Sequence, residues 1–280
     1  MNPVTTALAD VQNEADTRGI HIDRVGVRDL RYPITVMDRS EGWQSTVAEL
    51  SLSVALPHHF KGTHMSRFLE VLNEHRGEIT LRSLPAILRE LQDRLDAESA
   101  QIVVEFPYFM ERPAPITGAT GMMDYDCRFW GTLHRDKLDF VLGVRIPVTS
   151  LCPCSKEISD YGAHNQRGHI DISLRTAADV DGLPKVVWIE ELVELADRCA
   201  SSPVYPLLKR PDERHVTMRA FENPAFVEDM VRDTALHLKE DNRIAWFNVE
   251  VINQESIHNH NAFAEVDWTR PNADRFNTDG

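Results

Sequence analysis

The sequence predicts an α+β chain with antiparallel sheets and paired helices, arranged in two successive halves. Apolar and polar residues alternate with a period of two in several segments, which is typical of strands with one buried face. Between these segments lie stretches with apolar residues at spacings of three and four, which is typical of amphipathic helices. Each half has the order strand, strand, helix, helix, strand, strand, a repeat of elements and not of residues.

The first half is predicted from its alternating strands and one clear pair of helices. In the second strand Leu50, Leu52 and Val54 alternate with polar residues, after a turn around Gly42. The predicted elements are strands 24–37 and 46–56, a helix over 66–76, a second helix after Thr80 that carries apolar residues from Leu84 to Leu95, and strands 100–110 and 121–133.

The second half is predicted in the same way. A helix is expected to start at Asn223-Pro224, because an asparagine cap followed by proline is a common helix start. The other elements are strands 138–148 and 169–175, a helix over 189–200, and strands 244–253 and 261–268. The organisation predicted is a partly disordered leader (1–23), a first module (24–136), a second module (137–268) and a disordered tail (269–280).

Composition limits the possible partners and compartments. The 280-residue chain has a net charge of −14, which disfavours a nucleic-acid-binding protein because those usually carry a basic stripe. An apolar export signal and an apolar run long enough to span a membrane are both missing from the sequence, so no membrane association is predicted. We therefore expect a cytoplasmic protein whose four cysteines are reduced thiols.

A Cys-Pro-Cys sequence follows the predicted strand 138–148. Cys152 and Cys154 are displayed there beside backbone that no longer pairs, and a short loop returns the chain at His164. Thiolate and imidazole are ligands that borderline-soft divalent metals favour. From these residues alone, two small buried cysteines and a surface histidine explain the segment equally well.

A second polar segment, 254–261, interrupts two apolar strands near the C-terminus. His258 and His260 are two residues apart, so in extended backbone their side chains point the same way. Glu213, in the charged segment 210–215, reads on its own as a solvated acid in a loop.

Three separated strings resemble the type IB GTP cyclohydrolase family. They are LPHHFKGTHMSRF, PVTSLCPCSKEISDYGAHNQRGHI and ESIHNHNAFAEV, within a resemblance that covers about residues 24–268. The resemblance implies tandem tunnelling-fold (T-fold) modules and a homotetramer with active sites at subunit interfaces. It also implies that GTP and water are converted to 7,8-dihydroneopterin 3′-triphosphate and formate, the first step of folate and pterin biosynthesis.

The resemblance further implies one divalent metal ion per site, either zinc, manganese or iron, and no nicotinamide cofactor. The family's metal ligands fall on Cys152, His164, Glu213 and His258. Glu213 is the least secure of the four because the preceding loop varies in length, and Asp212 and Glu222 lie nearby.

The family's purine-anchoring glutamate falls on Glu228, which would accept hydrogen bonds from the guanine N1–H and amino group. Cys152, Cys154 and His260 are the candidate catalytic residues, the last two for proton transfer or support. The candidates for binding the triphosphate, from one subunit or several, are Lys61, His64, Ser66, Arg67, Lys156 and Arg167. Cys127 and Cys199 are interpreted as packing residues.

Two other functions remain open at this point. A covalent enzyme with Cys152 or Cys154 as nucleophile, similar to the tunnelling-fold nitrile reductases, would need a nicotinamide cofactor. A non-catalytic purine- or pterin-binding protein would need neither metal nor turnover.

Overall fold

A computed structural model describes residues 10–75, 78–180 and 182–271, without the side chain of Asn13. Its strands are β1 (Ile22–Asp38), β2 (Gly42–Leu56), β3 (Ser99–Pro113), β4 (Thr120–His134), β5 (Lys137–Leu151), β6 (Asn165–Thr176), β7 (Ser202–Pro203), β8 (Ile244–Asn253) and β9 (Ala262–Thr269). Its helices are α1 (Met65–Glu74), α2 (Leu84–Leu95), α3 (Pro153–Ile158), α4 (Ile189–Cys199), α5 (Arg210–Glu222) and α6 (Val227–Glu240), with a 3₁₀ turn at Val11–Asn13.

All nine strands belong to one sheet. Its order is β1-β2-β3-β4-β5-β6-β8-β9, and the short β7 pairs with β5 outside this path. The pairs β5–β6, β6–β8 and β8–β9 are antiparallel. The ends of β5 and β8 therefore lie beside the starts of β6 and β9.

The prediction of tandem T-fold modules, each with its own antiparallel sheet and paired helices, is wrong. The strands of the two predicted halves neighbour each other in the sheet, because β4 is next to β5. Only Arg135 and Asp136 separate these strands, and Arg135 takes the left-handed backbone conformation, with φ 53°, that tight turns use. The sheet therefore continues through the predicted module boundary.

The chain divides into two compact units, each made of separate segments. Of the described residues, the first unit contains those within 10–36, 47–104 and 130–139, and the second contains those within 37–46, 105–129 and 140–271.

In the first unit, α2 packs closely on the sheet. A Cβ added to Gly131 would lie 3.3 Å from atoms of both Leu88 and Ile102. Because Gly131 has no side chain, α2 can lie close to β4. In the second unit, α6 contacts β8, β9 and α4.

Two local predictions in the second unit are wrong. The segment 210–215, predicted to be a charged loop, is the first part of α5. Asn223, predicted to cap the start of the next helix, instead follows the end of α5, and α6 begins at Val227.

The predicted ends of the chain are only partly described. Residues 1–9 of the leader and 272–280 of the tail lie outside the described residues. Among the helices of the described part of the chain, none combines the length and the apolar character needed to cross a membrane.

Candidate functional site

Four strand ends meet at one edge of the second unit. The last residue of β5, Leu151, pairs with Asn165 at the start of β6, and Asn253 at the end of β8 pairs with Ala262 at the start of β9. Asn253 also lies opposite Gly168 of β6. Antiparallel pairing thus brings the Cys-Pro-Cys segment and the histidine-rich segment 254–261 to the same edge.

Backbone contacts fix Cys152 beside His164. The Cys152 amide donates to the His164 carbonyl at 3.1 Å, and the His164 amide donates to Ser155 Oγ at 2.9 Å. Cys152 caps α3, where its Sγ accepts from the Ser155 amide at 3.4 Å. Pro153 is suited to the first position of this helix because that position needs no N–H donor.

A backbone hydrogen bond joins the segment before α6 to the same edge. The Ala225 amide donates to the carbonyl of Leu151, the residue before Cys152, at 3.1 Å. Glu228 lies in the first turn of α6, where the partial positive charge of the helix start favours a carboxylate. This bond places the predicted purine-binding residue beside the predicted metal-binding segment.

These segments enclose a pocket of about 450 Å³, a volume within the range of small-molecule sites. Three of the four predicted metal ligands line it, together with the predicted purine-binding residue and the remaining candidate catalytic residues. The lining residues are Cys152, Cys154, His164, Gln166, Ala225, Phe226, Val227, Glu228, Asn253, Glu255, His258, His260, Ala262 and Phe263.

The two late histidines lie together at the exposed side of the pocket. The rings of His258 and His260 stack, with their centroids 5.1 Å apart and an interplanar angle of 23°. Both residues are exposed, so either ring can reorient toward a bound molecule.

Asn253 contributes a buried polar group to the pocket. The residue is 2% exposed, and its Oδ1 has no hydrogen-bond partner in the described structure. A Cβ on the facing Gly168 would lie 2.5 Å from this oxygen, so glycine leaves the space that the amide occupies. Buried polar atoms are usually paired, and an unpaired one lining a pocket is available to a ligand or a water.

Sequence reasoning missed Gln166 and Glu255. Gln166 Oε1 lies 2.9 Å from His164 Nδ1, and Gln166 Nε2 lies 3.4 Å from Glu255 Oε1. Alternation along β6 would have identified Gln166, because that position faces inward between two exposed residues. Glu255 adjoins the polar segment that identified the two histidines.

Glu213 is exposed on α5 and does not line the pocket. Its neighbour Asp212 is buried and accepts hydrogen bonds from the amides of Ile116, Thr117 and Lys209 at 2.8–2.9 Å. Burial alone would raise the pKa of Asp212, but these bonds and one from the Thr117 hydroxyl outweigh it and lower the pKa. Asp212 therefore anchors α5, and Glu213 as a metal ligand stays a prediction.

The six residues predicted to bind triphosphate lie elsewhere, and none lines this pocket. In the first unit, Lys61 pairs with Glu14, His64 Nε2 lies 3.3 Å from the Asp10 carboxylate, and Arg67 donates to the Arg94 carbonyl at 2.6 Å. Ser66 is exposed on α1.

The two members of this set in the second unit adjoin the pocket segments in sequence. Lys156 Nζ donates to the Phe221 carbonyl at 2.5 Å and lies 4.4 Å from the centre of the Phe221 ring. Arg167 is exposed, and its carbonyl accepts from the Gln254 amide at 2.9 Å. The role of the six residues in triphosphate binding stays a prediction.

The pocket contains side chains whose donor atoms can bind a metal ion. Across the described residues, no group of three or more His, Cys, Asp or Glu side chains stands close enough together to hold an ion. The pocket nevertheless gathers two thiols, three imidazoles and two carboxylates, a mixture of soft and hard ligands suited to zinc, manganese or iron. The types of donor atom in the pocket therefore suit a divalent metal ion.

The prediction that the other two cysteines are packing residues is confirmed by their burial. Cys127 and Cys199 are buried, and burial raises the pKa of each thiol. Cys127 lines a larger cavity of about 630 Å³. This cavity contains none of the predicted site residues, and two of its charged side chains, Arg145 and Asp171, form a bidentate ion pair at 2.8 Å.

The chain is similar in sequence to proteins of one known family. Residues 8–264 match a family model described as type I GTP cyclohydrolase folE2. The chain is 53% identical over 261 residues to GTP cyclohydrolase FolE2 of Syntrophotalea carbinolica, covering 93% of this chain and 95% of that protein. It is 54% identical over 266 residues to the protein of the same name from Geobacter sulfurreducens, covering 95% and 100%.

Among solved structures, the chain is similar in fold to two uricases. Uricase from Arthrobacter globiformis matches with a TM-score of 0.53 and 8% identity, covering 91% of this chain and 96% of that chain. Urate oxidase from Bacillus sp. TB-90 matches with a TM-score of 0.53 and 10% identity, covering 89% and 100%. At such low identity the similarity concerns the fold alone.

Proposed function

Because this chain belongs to the type I GTP cyclohydrolase folE2 family, we propose that it converts GTP and water to 7,8-dihydroneopterin 3′-triphosphate and formate in the pocket at the strand ends. The observation that carries this proposal is the presence of Cys152, His164, His258 and Glu228 around one cavity of about 450 Å³. The reaction is the first step of folate and pterin biosynthesis.

Guanine recognition is assigned to Glu228. Its carboxylate is proposed to accept hydrogen bonds from N1–H and the exocyclic amine, which would turn the opposite edge of the base, with C8, toward Cys152 and His164. The position in the first turn of α6 supports this role, because the helix start favours an anionic side chain. Adenine has an acceptor at N1 and no amine at C2, so ATP should be a poor substrate.

A divalent metal ion, either zinc, manganese or iron, is proposed to bind Cys152, His164 and His258, with Glu213 as the predicted carboxylate ligand. The mixed donor set and the unpaired buried oxygen of Asn253 support a polar ligand site. When bound, such an ion would supply the Lewis acidity that activates water for attack on C8. Glu255 is a carboxylate that already lines the pocket, so an alanine variant at each glutamate would identify the ligand.

The remaining candidate residues are assigned to proton transfer and triphosphate binding. Cys154 and His260 line the pocket beside Cys152 and His258, which supports a role in moving protons during ring opening and reclosure. The triphosphate is proposed to bind the basic and hydroxyl residues of the family motifs, from one subunit or several. These are Lys61, His64, Ser66, Arg67, Lys156 and Arg167.

A cytoplasmic homotetramer is proposed as the working form. Support comes from the family resemblance and from β1 and β9, which end the strand order and so each leave one side without a partner strand in the described sheet. Sedimentation of the purified chain measures this directly, and a fully active monomer would contradict it.

The test of function is turnover of GTP by the purified chain. With GTP and Mn²⁺, we expect a fluorescent neopterin after oxidation and dephosphorylation of the product, and release of formate in equal amount. Treatment with a chelator should stop turnover, and a divalent ion should restore it. Failure to form neopterin with any of the three metals would refute the proposed activity, and full activity in a metal-free preparation would refute the metal.

A further inference from the structure

Gln166 is a buried amide that joins three polar residues at the inner side of the pocket. It is 8% exposed, and it lies on β6 opposite Ser150 of β5. Its Oε1 is 2.9 Å from His164 Nδ1, and its Nε2 is 3.0 Å from Ser150 Oγ and 3.4 Å from Glu255 Oε1. Both ends of the amide are therefore engaged.

The chemistry of these neighbours decides which way the amide points. An ionised carboxylate only accepts hydrogen bonds, so the amide end that faces Glu255 must be the NH₂ group. The other end, which faces His164, must then be the carbonyl oxygen. This assignment rests on the hydrogen-bond network, which is how amide orientation is established.

The orientation of the amide fixes the position of the proton on His164. An amide oxygen only accepts, so a hydrogen bond to it requires a proton on His164 Nδ1. In the neutral ring Nε2 then carries the lone pair. Ser256 Oγ, 3.4 Å from the same Nδ1, can accept as well and does not compete for Nε2.

We propose that Gln166 is a positioning residue that holds His164 in the Nδ1–H tautomer and directs the Nε2 lone pair to the metal ion. The proposal deepens the function proposed above and rests on it for the presence of the ion. Histidine ligands usually donate their other N–H to a fixed acceptor, which sets the tautomer and the ring orientation. The same amide holds Glu255, so one side chain of the sheet orients a ligand and a carboxylate together.

The test compares three variants in the full chain. Gln166→Met keeps the length of the side chain and removes all three hydrogen bonds of the amide, whereas Gln166→Glu keeps an acceptor for His164 Nδ1–H. Gln92→Met is the matched control, because Gln92 is also 8% exposed and donates to the carbonyls of Glu98 and Leu133, away from the pocket. Circular dichroism and the melting temperature measure the loss of stability that the two methionine variants should share.

Two readouts are needed, and neither is activity. In metal-free protein labelled with ¹⁵N-histidine, the side-chain nitrogen shifts report the tautomer of His164, whose signal is identified by its loss in His164→Asn. Competition with a chromogenic chelator measures the affinity for Zn²⁺ or Mn²⁺. We expect Nδ1–H in the wild type and in Gln166→Glu, and a mixture of tautomers with about 10- to 100-fold weaker metal binding in Gln166→Met.

The result that overturns the proposal is a proton on Nε2 of His164 in the wild type. Equal tautomer and metal affinity in Gln166→Met and Gln92→Met would also overturn it. If Gln166→Met fails to fold, the tautomer of His164 measured in the wild type and in Gln166→Glu still tests the proposal. Because the tautomer is measured without metal or substrate, a chain that did not turn over GTP would refute the proposed function and leave this readout intact.

Discussion

The pocket of the second unit and the segment 61–67 of the first unit were both identified by family motifs, and they differ in how their residues are engaged. In the pocket, residues from four strand ends and two helix starts converge, and Asn253 keeps an unpaired buried oxygen. In the segment 61–67, Lys61 pairs with Glu14 and Arg67 bonds to the backbone of Arg94. The pocket presents groups to a ligand, whereas Lys61 and Arg67 are occupied locally, and the buried His64 Nε2 of the same segment makes no hydrogen bond within the described residues.

This difference shows that the fold alone accounts for the grouping of the pocket residues and does not account for a binding role of the basic residues. The pocket residues lie at fixed register positions of a sheet, so their proximity follows from strand pairing. The basic residues lie on and before a surface helix, where local ion pairs are worth little and exchange easily with a bound anion. Four predictions test this difference between the pocket and the segment 61–67.

The largest effect is expected from Cys152→Ala. Removal of the thiol should abolish turnover and metal binding while the chain stays folded, because Cys152 is only half-buried and belongs to no apolar core. Metal content and circular dichroism measure the two outcomes. Cys199→Ala is the matched control, since it removes a buried packing thiol and should lower stability without loss of metal. An active Cys152→Ala variant would remove this residue from the site.

The next effect is expected from Glu228→Gln, which turns one acceptor oxygen into a donor facing the N–H groups of guanine. An unpaired buried polar group costs about 1–3 kcal/mol, so GTP binding should weaken by about tenfold or more. Metal content should not change, because the residue is not proposed as a ligand. Glu240→Gln, at the exposed far end of the same helix, is the control. Unchanged GTP binding would show that Glu228 is an ordinary exposed residue of α6 with no role in guanine binding.

A smaller effect is expected from Lys61→Met. If the segment 61–67 exchanges its local partners for the triphosphate, the KM for GTP should rise by about two- to fivefold, and more at low salt, with kcat and metal content unchanged. Steady-state kinetics at two salt concentrations measure this. Lys137→Met, also an exposed lysine of the first unit, should have no effect. A KM that does not respond would leave Lys61 as the partner of Glu14 alone.

The smallest effect on turnover is expected from Asp212→Asn, which tests the anchor of α5. The folded-state pKa of Asp212 lies below its unfolded value of 3.8, so its ionised form stabilises the fold fully above that value. The contribution is lost as pH falls from 3.8 toward the folded-state pKa. The variant should melt at a lower temperature near neutral pH and lose less stability than the wild type on acidification. An identical pH dependence of the two melting temperatures would contradict this role.

The sequence predicted three of the pocket strands, β5, β8 and β9, because their patterns are strong, whereas the start of α6 was predicted too early. β8 was predicted at 244–253 and is observed at Ile244–Asn253, and the Cys-Pro-Cys segment follows a strand as expected. α5 escaped detection because only Asp212 and Ala220 of its thirteen residues are buried, so it has no apolar stripe. Glu255 was missed because its contact with Gln166 joins residues 89 positions apart, whereas alternation along β6 would have identified Gln166.

The joining of the two halves into one sheet could not be read from the sequence. Alternation within a strand reveals which face is buried, whereas strand order depends on pairing between strands.

The assembly of the pocket from strand ends has a consequence for folding. Cys152 and His258 are 106 positions apart in the chain, so the pocket cannot form before β8 and β9 have paired with the rest of the sheet. Contacts at such sequence separation carry a large loop-closure cost and form late. Within a single chain β9 ends the strand order, and an edge strand that no neighbouring subunit covers opens with a lower free energy than a central one. Amide exchange in β9 should therefore report the loss of binding competence under mild denaturant before the central strands are exposed.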